Sequence, residues 1–196
     1  MGSAVNNGGS RSLYITNDNG TSNGYNTSST SYTYATRAIY LDAAGEYAFS
    51  YDWRNQGESS NYDYIRAFLV PADVDFTAGS TPDGSSSTSS FASWTVPSTW
   101  KDLSGRTSPY TLVQSSSWNN VSGSFTVAAP GSYKLVFAWA NDGGGGSNPA
   151  GAIDNVALMA LTCPQVTDGV VVALRAVIEK DLVRELEQKG YPKLVE

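Results

Sequence analysis

Two stretches of this chain carry the same pattern. Ile39, Leu41, Ala43, Gly45, Tyr47, Phe49, Tyr51, Trp53 and Asn55 match Phe125, Val127, Ala129, Gly131, Tyr133, Leu135, Phe137, Trp139 and Asn141 in order and in spacing. Each matched position is two residues from the next, and a two-residue step returns side chains to one face only in an extended strand. Both segments therefore read as β-hairpins. In each, one strand ends in a tight glycine turn and a second sends Tyr, two apolar residues and Trp to a single face, most simply the core. Convergence on the core hairpin of a sandwich is a simpler source for the match than an ancient duplication, and either origin gives the same fold.

Period-2 alternation bounded by turn residues recurs through the body. It predicts strands at Ser12–Thr16, Ala35–Leu41, Gly45–Arg54, Tyr62–Val70, Tyr110–Gln114, Ser122–Val127, Gly131–Ala140 and Ala152–Ala160. Asn17-Asp18-Asn19-Gly20, Ala43-Ala44-Gly45, Pro82-Asp83-Gly84 and Pro130-Gly131 supply reversals between them. Helical periodicity is absent from this body. The stretch Thr77–Ser117, rich in Ser and Thr, reads as a long connection between sheets. Unstructured loops of that length are uncommon in compact domains, so one or two short strands are expected in it, Thr95–Pro97 among them, or else a function. A chain of 196 residues suits one large core better than two domains.

Near residue 168 the chemistry changes. The preceding residues carry twenty charges, whereas the last 28 carry ten and contain no Ser, Thr, Asn or Trp. Leu174, Ile178, Leu182 and Leu186 fall at helical spacing, with Val171 and Val177 beside them and charged residues on the other faces, before Gly190 and Pro192 stop the pattern. The expectation is an all-β, two-sheet antiparallel jelly-roll sandwich over 1–164, followed by a linker and an amphipathic helical tail over 165–196. An isolated helix of roughly 20 residues is marginal in water. The apolar stripe over 171–189 thus calls for a surface: its own sandwich, another copy in a homo-oligomer, or the partner of an appended interaction peptide.

Composition excludes more than it assigns. A net charge of −6 and a pI near 4.6 argue against nucleic acid or an anionic membrane as partner. The absence of histidine removes the commonest general base and most zinc and copper sites. Cys163 has no second cysteine to pair with. No apolar run is long enough for membrane insertion. The Ser, Thr, Asn, Gly and Tyr content is that of a secreted or cell-surface protein, and the first residues lack the regions of a signal peptide, so removal of a leader or upstream segment is expected.

Gly45-Glu-Tyr-Ala-Phe-Ser-Tyr-Asp-Trp-Arg54, Gly57-Glu58, Asp63-Tyr-Ile-Arg-Ala-Phe-Leu-Val-Pro71, Gly131-Ser-Tyr-Lys-Leu-Val-Phe-Ala-Trp139 and Ala152-Ile-Asp-Asn-Val156 occur in this order. Together they resemble the MAM-like jelly-roll modules of bacterial surface proteins, including the cleaved-adhesin and choice-of-anchor J domains. The resemblance covers roughly residues 8–164. It implies an antiparallel jelly roll used for adhesion or carbohydrate binding in a larger exported protein, often with structural calcium. Two features depart from that pattern: an N-terminal strand that usually precedes Ala4-Val5-Asn6, and a following β domain where the helical tail stands.

Calcium takes mixed carboxylate, amide and carbonyl oxygens. Asp52, Glu58, Asp63, Asp142, Asp154 and Asn155 offer them near the repeated strands and on the last one, although solvated loop carboxylates are the plainer reading and no EF-hand spacing occurs. Asp52, Asp63, Asp142 and Asp154 are the candidate metal ligands. Asp154 is preferred, because the resemblance implies an acidic residue in its strand and alternation turns its side chain away from Ile153. For glycan binding, Trp94, Trp100 and Trp118 lie outside the regular alternation in polar surroundings, where stacking platforms compete with core plugs. Gly143–Gly146 beside Asp142 and Asn148 predicts a loop at a sandwich end, with Asn148 a candidate ligand contact. No spacing selects a catalytic carboxylate pair. The expected function is non-catalytic binding of a glycan or a host or matrix surface. The alternatives are an assembly module joining through its helix or an open sheet edge and, as a minor reading, a glycoside hydrolase.

Overall fold

The computed structural model describes residues 1–161. Within it, eight strands and one short helix follow in the order β1 (Leu13–Tyr14), β2 (Ser31–Leu41), β3 (Gly45–Asn55), β4 (Tyr64–Pro71), α1 (Thr88–Ser93), β5 (Lys101–Asp102), β6 (Ser115–Val127), β7 (Gly131–Asn141) and β8 (Ala152–Ala160). The helix predicted over 171–189, its linker and Cys163 lie outside the described residues.

Strand β3 shows why two layers form. Tyr47, Phe49, Tyr51 and Trp53 are buried while Ala48, Ser50, Asp52 and Arg54 between them are only half-buried, so one face must be covered by another apolar face. The cover is a second antiparallel sheet. The strands lie in the orders β1-β8-β3-β6 and β2-β7-β4-β5. The partnerships β1 with β8, β2 with β7, β3 with β6 and β4 with β5 are those of one long hairpin folded over itself, a jelly-roll-like sandwich.

The repeated segments are not the hairpins their sequence predicts. Strands β2 and β3 belong to different sheets, as do β6 and β7, so each repeat is a corner, and the two repeats pair with one another. Ile39 lies opposite Tyr133, and their equivalents Phe125 and Tyr47 lie opposite each other, which relates the repeats by a local two-fold axis. Turning the corner at Asp42–Ala44 lets Ile39 and Leu41 pack in the same core as Tyr47 and Phe49. A hairpin would leave both strands in one layer.

Strand β4 is buried along nearly its whole length. Ile65, Ala67 and Leu69 enter the core between the sheets, while Tyr64, Phe68 and Val70 enter a second core on the outer face of their sheet. That second core is closed by the long excursion after β4, through Phe91 and Ala92 of α1, Trp100, and the partly buried Val74, Phe76, Trp94 and Val96. The helical turn is started by Ser87, whose side chain accepts from the Ser90 amide at 3.4 Å.

Arg66 pins the excursion down. Its side chain is fully buried; Nη1 donates to the carbonyls of Phe91 at 2.6 Å and Trp94 at 3.0 Å, and Nη2 donates to Asp102 at 2.6 Å. The guanidinium also lies 4.8 Å from the Phe68 ring centroid and 5.1 Å from those of Phe91 and Tyr110.

The excursion contains a helical turn and β5, and Thr95–Pro97 is not a strand. Tyr110–Gln114 forms only one bridge, Leu112 with Ile65. Its hydrogen bonds go to separate places, Tyr110 N to the Ala92 carbonyl and Gln114 N to the Gln56 carbonyl, so no ladder develops. Strands β2 and β6 begin earlier than alternation indicates, because Tyr32 and Tyr34 face the second core and Ser115–Asn120 carry little apolar signal.

Candidate functional site

The three candidate tryptophans occupy unlike settings. Trp100 is 9% exposed and packs edge-on against Phe68 at 5.7 Å and Trp94 at 5.5 Å. Trp94 is half-buried against the same cluster. Both serve to close the second core, which leaves Trp100 no face for a sugar. Trp118 is half-buried near the start of β6, and the Arg54 guanidinium lies 5.8 Å from its ring centroid.

On the face of β3 that points away from the core, Asp52 lies opposite Asn120 of β6 on one side and Asp154 of β8 on the other. Two carboxylates directly opposite repel unless donors intervene, and asparagines supply them. Asp52 accepts from the side-chain amides of Asn120 at 2.8 Å, Asn155 at 2.8 Å and Asn7 at 2.9 Å. Asp154 accepts from the backbone amides of Asn7 at 2.6 Å and Asn155 at 2.8 Å, and the Asn155 amide also reaches the Asn7 carbonyl at 2.9 Å.

The local fold that permits this is an irregularity in the β3–β8 pairing between Ser50 and Asp52. Asn155 adopts φ +50 there, a left-handed conformation that Asn tolerates, and its side chain swings beside Asp52. Burial pushes the Asp52 carboxyl up, but the amides of Asn120, Asn155 and Asn7 outweigh it and hold the group below the ordinary carboxylate range. All four oxygens of Asp52 and Asp154 therefore have N–H donors. Asp52 and Asp154, two of the candidate metal ligands, are thus brought together within a set of amide donors.

The other two metal candidates lie elsewhere. Asp63, 0% exposed, accepts from the Tyr25 hydroxyl at 2.6 Å through Oδ2. Its Oδ1 has no hydrogen-bond partner among the described residues. One carboxylate oxygen each from Glu58, Asp63 and Asp142 lies within 4.8 Å of the others. Burial raises the Asp63 carboxyl above its ordinary range; the Tyr25 hydroxyl and the Asp142 backbone amide oppose this, and the Asp142 and Glu58 charges add to it.

The glycine run shapes this pocket of charge. Gly144 N donates to Asp142 Oδ1 at 2.8 Å, and Ser147 N donates to the Gly57 carbonyl at 2.9 Å. A Cβ on Gly146, at φ +103, would collide with the Tyr25 hydroxyl and the Asp63 carboxylate. Asn148 is exposed, and its Oδ1 accepts from Tyr25 N at 3.1 Å, so it holds the Tyr25 segment to the same loop.

The four aspartates thus separate into two pairs, Asp52 with Asp154 and Asp63 with Asp142. Glu58 completes the second group. Tyr25 and Asn7, which organise the two sites, carry no local sequence signal that marks them. Between the sheets, beside the two-residue strand β1, a mainly apolar cavity of about 200 Å³ is lined by Leu13, Ile15, Phe137, Trp139 and Ile153 among others. It brings together no titratable groups apart from Tyr14 and Tyr34.

No protein-family profile matches this chain, and the comparison with curated proteins found no match. Among the described residues, no helix is long and apolar enough to cross a membrane.

Proposed function

We propose that the sandwich is a non-catalytic extracellular binding module that takes a glycan on the outer face of the β1-β8-β3-β6 sheet. One observation carries the reading: Trp118 is the candidate tryptophan left outside both cores, on a sheet face where Asp52, Asn120, Asn155 and Asn7 present an amide and carboxylate array. An aromatic ring stacks on the apolar face of a sugar, and side-chain amides and carboxylates fix its hydroxyls. On this face Asp52, held ionised by its amides, does not supply the protonated carboxylic acid that a glycosidase pair needs. The likeness to modules of bacterial surface proteins supports placement in a larger exported protein, with adhesion as the biological use.

A glycan array followed by calorimetry on the best ligand tests this. Trp118→Ala is expected to weaken binding at least about tenfold, roughly 1.4 kcal/mol, with partial recovery in Trp118→Phe. Binding of no glycan, or binding that Trp118→Ala leaves intact, overturns the proposal.

A second reading, assembly through an open edge, is favoured by β8. Beyond Ile153 its outer edge has no strand partner among the described residues, and Val156, Met159 and Leu161 are 47%, 64% and 52% exposed. A monomer by light scattering at high concentration removes it.

A further inference from the structure

We infer that Glu58, Asp63 and Asp142 hold a divalent cation, calcium, which ties the segment between β3 and β4 to the glycine-rich segment between β7 and β8. The inference is independent of the glycan reading and concerns a different part of the fold. It begins from an unmet need. Asp63 is wholly buried and accepts from the Tyr25 hydroxyl through Oδ2, yet no donor makes a well-formed hydrogen bond to Oδ1 among the described residues, although the Asp142 backbone amide lies close enough to favour the carboxylate. Buried polar atoms are nearly always satisfied, and a buried carboxylate is paired, protonated or bound to a metal.

The neighbouring groups decide among these. Around Asp52 the supply is amide N–H groups. Around Asp63 two further carboxylates approach, each placing an oxygen within the 4.8 Å that encloses the set. Oxygens bound to one calcium at about 2.4 Å lie at most about 5 Å apart, so the three fit within a single coordination shell. Three carboxylates in one place repel strongly when empty, and a hard cation converts that repulsion into attraction.

The backbone is consistent with such a clamp. Gly57 and Ser147 bridge the two segments, and the missing side chain of Gly146 lets the chain run against Tyr25 and Asp63. Calcium fits better than magnesium because it accepts irregular oxygen sets, whereas magnesium requires near-ideal octahedral geometry and gives up its waters reluctantly.

The test uses the full chain, stripped with EDTA and then titrated with calcium chloride in calorimetry and thermal melts. Calcium at a hundredfold excess over its dissociation constant is expected to raise Tm by about 5–10 °C. Glu58→Gln and Asp142→Asn, both on side chains with solvent access, are expected to abolish the rise, while Asp42→Asn keeps it. Terbium in place of calcium is expected to give emission sensitised by Tyr25, which packs edge-on to Trp139 at 5.1 Å, and calcium should quench it by competition. An unchanged Tm on adding calcium overturns the inference in favour of a protonated Asp63. So does a rise that survives in both Glu58→Gln and Asp142→Asn.

Discussion

The two sheets have four strands each and share a central core, yet their outer faces are finished in opposite ways. Behind β2-β7-β4-β5 the chain lays down the long excursion from Ala72, with Phe91, Trp94 and Trp100 turned inward and Arg66 bonded to its backbone. Behind β1-β8-β3-β6 the chain places Asp52, Asp154 and asparagines, bonded laterally across the strands. One face is apolar and covered; the other is polar and has no such cover among the described residues. Aromatic residues in polar, irregular sequence therefore meet two different settings in this protein: Trp94 and Trp100 pack into the second core, and Trp118 lies outside both cores.

The largest expected effect is on the covered face. Arg66→Met removes the cation that serves two carbonyls and Asp102 from a site with no solvent access. Breaking a buried pair by removing one partner costs about 3–5 kcal/mol, so urea unfolding should show a loss of that size. Limited proteolysis should cut first within residues 72–114. A loss under about 0.5 kcal/mol, the usual surface value, would mean that the excursion is held by its aromatic residues alone.

The comparison is sharpest between two tryptophans. Trp100→Ala opens a cavity in the second core and is expected to cost about 3–5 kcal/mol. Trp118→Ala gives up partial burial and a cation–π contact with Arg54, worth about 0.5–1 kcal/mol at an exposed site. Equal costs in thermal or urea unfolding would break the distinction between the faces and return Trp118 to a packing role.

What the sequence shows and what it hides follow from the same distinction. Strand β3 was legible because one-sided burial writes period 2 into Tyr47–Trp53, whereas β7, buried on both faces from Val136 to Asn141, was legible through its match to the β3 pattern. Strand β4 was legible as a strand, but its unbroken run from Tyr64 to Val70 also recorded a second cover that alternation does not announce. The excursion was opaque: Phe76, Phe91, Trp94 and Trp100 have no common period, since each reaches the sheet from a different turn. The pairing of the repeats was hidden too, because a hairpin and a corner bury the same residues. At the candidate sites the carboxylates were legible and their partners were not. Asn7, Asn120 and Asn155 come from three distant segments to reach Asp52, and Tyr25 reaches Asp63 from before β2, so nothing local separates the amide-bound pair from the donor-poor one.

The smallest effect tests the open face directly. Asp52→Ala removes the acceptor of three amides that water can still reach, so its cost is expected near about 1 kcal/mol, the net worth of an ordinary hydrogen bond. The pH dependence gives a sign as well as a size. The folded-state pKa of Asp52 lies below its ordinary value, so its stabilisation is fully present above the usual carboxylate range and is lost as pH falls through the folded value. The stability difference between wild type and Asp52→Ala should therefore shrink on acidification through that window. Asp18 provides a comparison on the same spectra. Its carboxylate, fully exposed, accepts from the hydroxyls of Ser22 and Thr16 at 2.6 Å each, and these bonds bring its pKa down to about 2. Carboxyl carbon titration by NMR should find Asp18 near that value. An Asp52 that titrates above the ordinary range would mean that its amides do not stay aimed at it in solution, and the outer face would lose the preorganised array on which its proposed ligand depends.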